Sequence, residues 1–141
     1  MQRTTTSVAL VAAGLLLLAG CAQGGGGGAT PAAGSCDAVN DEVRNISNGA
    51  QNALASTQAP DEMHEYLESL SERVDDLSDQ VEDQAVEDAL EVLDERIDAA
   101  ADFAETLPAD PEAERDADAI AEQQAGIQEA ASDVTAACTA E

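Results

Sequence analysis

Leu77-Ser78-Asp79-Gln80-Val81-Glu82-Asp83-Gln84-Ala85-Val86 is the stretch on which the architecture turns. On either side of it, apolar residues recur in alternating steps of three and four. Met63, Leu67, Leu70, Val74, Leu77 and Val81 precede the break; Val86, Leu90, Leu93, Ile97, Ala100, Ala104 and Leu107 follow it. That period puts each set on one stripe of a helix rather than on a strand. From Val81 to Val86 the step is five, which throws the stripe out of phase, and Asp83 is available as the cap of a new helix. No Gly or Pro marks the break. Residues 61 to 107 therefore read either as two helices or as one long one, and the choice sets the helix count of the whole chain.

Two further seams flank this region. Cys36, Val39, Val43, Ile46, Ala50 and Ala53 form the first; Ala113, Ala117, Ile120, Gln124, Ile127, Ala131, Val134 and Cys138 form the last. Ala59-Pro60-Asp61 stops one helix and starts the next, since Pro cannot donate an interior hydrogen bond but fits a first turn, and Asp61 can cap. At Leu107-Pro108-Ala109-Asp110-Pro111, Asp110 reads as an N-cap and Pro111 as the first helical residue, with Glu112 and Glu114 near the positive end of the dipole. The expected helices cover about 36–58, 61–82, 84–107 and 111–138. The cysteines bear on the doubtful break. In an up-down-up-down bundle of four helices, the first begins and the fourth ends at one pole, so Cys36 and Cys138 can meet. With three helices they lie at opposite poles, tens of Å apart at about 1.5 Å per residue, and a disulfide needs Cα atoms within about 7 Å. The fold expected is all-α: an antiparallel up-down-up-down four-helix bundle over 36–138, closed by a Cys36–Cys138 disulfide.

The chain carries 30 Asp and Glu against five Arg and no Lys, a net charge of −25 over 141 residues. Nucleic-acid binding draws its affinity from cations that displace condensed counterions, so no nucleic-acid partner is expected. Anionic membrane surfaces are disfavoured as charge partners for the same reason. Tyr66 and Phe103 are the only aromatics, which leaves no stacking platform for bases. The carboxylates crowd the second helix at Glu65, Glu68, Glu72, Asp75, Asp76, Asp79, Glu82 and Asp83, where one Arg73 cannot relieve them all.

The amino terminus is of another kind. After Arg3, sequence without charge runs from Thr4 through Cys36, and its apolar stretch from Val8 to Leu18 is about half the roughly 20 residues of a membrane-spanning helix. This is the layout of a secretory signal peptide. It ends in Leu18-Ala19-Gly20-Cys21: a Leu, two small residues and a Cys, the lipobox pattern. Here the chain resembles bacterial lipoproteins, and with its Gly-rich tether and body rich in Ala, Asp and Glu it is similar to small envelope lipoproteins of actinobacteria. The resemblance implies that residues 1–20 are a cleaved signal, that Cys21 carries a diacylglycerol and becomes the first mature residue, and that the protein sits on the outer face of the cell membrane. Two or three fatty-acyl chains at about 0.8 kcal/mol per buried methylene would hold it there durably. Residues 21–35, with Gly24 to Gly28 at their centre, read as a flexible tether whose r.m.s. reach is on the order of 20 Å. Past residue 20 the charge is four Arg against 30 carboxylates, a net of −26.

No constellation for catalysis stands out. Carboxylate pairs at helical spacing are unavoidable at this density, and they fall on polar faces where neither member is desolvated. His64, the only histidine, has Asp61 three and Glu68 four residues away, yet reads as an exposed polar residue, so no metal site and no cofactor are expected. No nucleophile stands beside a base, and an enzyme is not expected. Gln124 sits on the last seam, either as a register-setting amide or as a mark of a less buried, Ala-rich face able to receive a partner helix. The function expected is that of a lipid-anchored extracytoplasmic protein whose acidic helical domain binds or spaces another envelope component, with an envelope protein as the partner class; the alternative is a carrier of a small ligand or a weakly bound cation.

Overall fold

The computed structural model describes residues 32–110 and 112–140, and the expected signal peptide, Cys21 and most of the expected tether lie outside them. Four α-helices make up the domain: α1 (Cys36–Leu54), α2 (Pro60–Ser78), α3 (Gln84–Glu105) and α4 (Ala117–Thr139). The break inside the opening stretch is real. Asp83 is the N-cap of α3, and its carboxylate accepts from the amides of Ala85 and Val86 at 2.9 and 3.1 Å. Each helix packs on the next in sequence, and α1 closes the ring against α4.

Cross-helix pairs fix the sense of packing. Cys36 at the start of α1 meets Cys138 at the end of α4, while Gln51 near the end of α1 bonds to Gln128 and Gln124. Glu42 pairs with Arg73, and Ser71 and His64 of α2 reach Asp94 and Ala101 of α3 in reverse order. The contacts of α1 with α4 and of α2 with α3 are thus antiparallel, consistent with the expected bundle. The core is the seams: Val39, Val43, Ile46, Met63, Leu67, Leu70, Val74, Leu90, Leu93, Ile97, Ile127 and Val134 are at most 2% exposed. Seam residues at the ends fare worse, since Val81 and Ile120 are half-buried and Ala117 is exposed.

All four helices differ from the expected bounds at an end, through local hydrogen bonds, proline, or charge against the helix dipole. α1 stops at Leu54 rather than 58: the Ser56 hydroxyl donates to the Ala53 carbonyl at 2.7 Å, and Arg115 donates to the carbonyls of Ser56 and Gln58. α2 begins with Pro60 as its first residue and Ala59 at the cap position, so Asp61 lies in the first turn instead of capping. It ends at Ser78 rather than 82, where Asp75, Asp76 and Asp79 oppose the negative end of the dipole. α3 ends at Glu105 rather than 107, with the Thr106 hydroxyl on the Phe103 carbonyl and Pro108 disfavouring a helical Leu107.

The largest correction is at α4. It starts at Ala117 under Asp116, which accepts from Asp118 and Ala119, and not at 111 under Asp110. Asp110 caps only a single turn, accepting from the Glu112 amide at 2.9 Å; Pro111 lies outside the described residues. The segment then unwinds so that Arg115 can reach the α1–α2 loop. Accordingly, Asp83→Ala and Asp116→Ala will each lower stability by about 1 kcal/mol. Asp110→Ala will stay within about 0.5 kcal/mol of the parent. Urea titrations of the three variants check this, and equal losses at 110 and 116 would contradict the assignment.

Candidate functional site

Of the residues singled out from sequence, Cys36 and Cys138 are brought together and Cys21 lies outside the described residues. The two cysteines meet at disulfide distance with Cα atoms 5.3 Å apart, tying the first residue of α1 to the end of α4. The start of α1, the end of α4 and the α2–α3 loop share this pole. Gly34, at φ +74°, is pressed on that loop, where an added Cβ would overlap the Gln80 carbonyl oxygen. Only glycine offers both the left-handed backbone and the missing side chain there. The residues before α1 therefore meet the domain at the disulfide pole, and the α1–α2 and α3–α4 connections lie at the other, one helix length of about 30 Å away.

Three of the four described arginines reach across to another element. Arg73 leaves the carboxylates of its own helix and donates from both Nε and Nη2 to Glu42 of α1. The stem of Arg96 lies over Gly126 of α4, whose added Cβ would sit 3.5 Å from Cδ. Arg115 holds the α1–α2 loop, and Arg44 pairs with Asp41 on the exposed side of α1. Between α1 and α4 the contacts are of a different kind. From Val43 to Pro60 the chain has no carboxylate. Gln51 donates to Ser47 Oγ and to Gln128 Oε1 at 3.0 Å each, and Gln124 donates to the Gln51 carbonyl at 3.0 Å. Gln124 is thus a half-buried fastener of α4 to the last turn of α1. Above these amides runs an open groove of ≈ 230 Å³, lined by Asn40, Arg44, Ser47, Asn48, Gln128 and Thr135 among others. It is a hydrogen-bonding strip whose lining holds no carboxylate and one charged residue, Arg44, on an otherwise anionic domain.

His64 is not the exposed residue expected. Its side chain is 22% exposed, and Nδ1 lies 3.0 Å from the Ala101 carbonyl, so the Nδ1–H donates to that oxygen. Nε2 stands 3.5 Å from Glu68 and 3.8 Å from Glu105. The bond to Ala101 raises the imidazole pKa, desolvation opposes it, and Glu68, Glu105 and Asp102 add to the rise. These carboxylates are exposed, and the cluster is an ion-pair fringe between the start of α2 and the end of α3. Among the described residues no group of three or more His, Cys, Asp or Glu side chains is placed to hold a metal ion. Among them also, no helix is long and apolar enough to cross a membrane.

Sequence reading missed one polar cluster. Ser71, next to seam residue Leu70, is 8% exposed, and its Oγ lies 2.5 Å from Asp94 Oδ1 and 2.7 Å from Asp98 Oδ1 on α3. Asp94 follows Leu93 on the seam edge and is half-buried, so the expectation that the carboxylates all stay solvated fails at this residue. Burial pushes its carboxyl above the usual aspartate range; the Ser71 hydrogen bond pulls it back, and Asp98, Asp75 and Glu95 add to the rise. The available signal was positional: seam-flanking Ser71, with Asp94 and Asp98 one turn apart on the facing helix. No known protein family, curated protein or solved structure matches this chain.

Proposed function

We propose that this is a lipid-anchored lipoprotein of the outer face of the cell membrane. Its helical domain is non-enzymatic and docks another envelope protein at a set distance from the bilayer. The anchor rests on Leu18-Ala19-Gly20-Cys21 after the apolar stretch, and the stand-off on the Gly-rich residues that follow. The observation that carries the docking reading is the strip between α1 and α4, the surface where carboxylates give way to amides and hydroxyls. The groove's own lining presents no carboxylate for a partner to strip of water, and desolvating an unpaired charge is the costliest step an acidic surface can impose on association. Its complement is a protein face of uncharged hydrogen-bonding groups. The carrier reading has less support, because the seams are filled and the groove between α1 and α4 is open to solvent.

Two measurements test this. Cells producing the full chain and fed an alkyne fatty acid should yield labelled protein in the membrane fraction, with both label and membrane association lost in Cys21→Ser. Persistent labelling without Cys21 would overturn the anchor. A photo-crosslinking residue at Asn48, in the groove, should trap a discrete protein adduct, while the same residue at Asp88 on α3 should not. Equal, diffuse adducts from both positions would overturn the docking face.

A further inference from the structure

We infer that the contact between α2 and α3 is locked by a retained proton: Asp94 donates a carboxyl proton to Ser71 Oγ, and the Ser71 hydroxyl donates its own to Asp98. The argument is a count of protons. A serine hydroxyl has one to donate, yet Ser71 Oγ lies within hydrogen-bond distance of two carboxylates, at 2.5 Å from Asp94 and 2.7 Å from Asp98. With both ionised, one anion would face the lone pairs of the hydroxyl oxygen at that distance. One added proton turns the repulsive contact into a directed chain, Asp94 to Ser71 to Asp98, that crosses from one helix to the other and back. Asp94 is the half-buried member and Asp98 the exposed one, so the proton rests on Asp94 and the charge stays where water reaches it.

Among the described residues no cation acts on Asp94 to do the proton's work. Asp75 of α2 and Glu95 and Asp98 of α3 act on Asp94, and Ser78, Glu87 and Glu91 line the cleft of ≈ 220 Å³ beside it. Among the described residues no titratable group of α1 or α4 is among those acting on it. Arg73 is turned to Glu42, and Arg96 lies over α4. Stability follows in sign. Since Asp94 titrates above its ordinary value of 3.8 when folded, the folded chain holds more protons than the unfolded one between the two values. The lock's contribution is full below 3.8 and is lost as pH rises through the folded value. Acidification through this window tightens α2 on α3, the reverse of ordinary acid denaturation.

The test is a carboxyl ¹³C NMR titration of the full chain, paired with thermal melts across the same pH range. Asp94 should ionise at higher pH than Asp98 and the remaining aspartates. Asp94→Asn, whose amide can donate to Ser71 Oγ at any pH, should keep the melting midpoint at or above wild type at neutral pH and flatten its decline with rising pH. Asp88→Asn removes the same charge from an exposed site of α3 and should leave the decline in place. Joint ionisation of Asp94 and Asp98 in the range of the surface aspartates would overturn the lock. So would Asp94→Asn melting below wild type at every pH, or Asp88→Asn flattening the decline equally.

Discussion

Cys138→Ser will lower the melting midpoint by roughly 20–35 °C. The bridge joins residues 102 apart in sequence, and closing a loop of about 100 residues limits the unfolded chain by about 4.7 kcal/mol in the chain-entropy treatment. For a domain of this size each kcal/mol moves the midpoint by about 4–8 °C. Little else secures that pole. No helix has a basic residue in its last turn to meet its dipole. The core past residue 36 is built from Leu, Val, Ile, Met and Ala, with Phe103 only partly buried against it. Circular dichroism melts with and without reductant measure the effect, and the Cys36→Ser, Cys138→Ser double variant should match the single one. A shift of only a few degrees, or two free thiols by mass in the native protein, would overturn the role given to the bridge.

The second large effect lies in α4. Ile127→Ala should cost about 2–5 kcal/mol, the range for truncating a fully buried aliphatic side chain, because Ile127 is 0% exposed. Ile120→Ala, two turns earlier on the same helix, should cost well under half of that, since Ile120 is only half-buried against the core. Identical chemistry at two sites thus reads out where α4 docks. Its large buried side chains are Ile127 and Val134, with Ala130, Ala131 and Cys138 between and after them. The helix is clamped by its second half and by the bridge, while its first half is held by Gln124 on the Gln51 carbonyl. Equal losses at 120 and 127 in urea titrations would mean that the whole helix is packed alike.

The helices were legible because a buried stripe must repeat with the helical period, and Val86 through Leu107 is buried at every seam position. The phase shift at Val81 was enough to find α3, since a displaced stripe cannot face one core from one helix. Helix ends were less legible. Asp110 and Asp116 each precede a residue suited to a first helical turn, Pro111 and Ala117, with acidic residues beyond, and the choice falls to Arg115, which reaches carbonyls more than fifty residues away. The polar cluster was illegible for a related reason. Asp94 looks like many other carboxylates until Ser71 arrives from another helix.

The sequence by itself determined what depends on local pattern: four apolar stripes, the phase break with its Asp83 cap, the excess of negative charge, and the order of apolar stretch, Leu18-Ala19-Gly20-Cys21 and Gly-rich tether. Tertiary structure alone decided what depends on a neighbour from elsewhere in the chain. It brought Cys36 to Cys138, aimed Arg73 away from its own helix, gathered the neutral amides of α1 and α4 onto one strip, and set one hydroxyl between two carboxylates. The physical reason is range. Helical periodicity and capping act within a few residues, whereas desolvation and the sharing of a proton exist only once two helices are in contact.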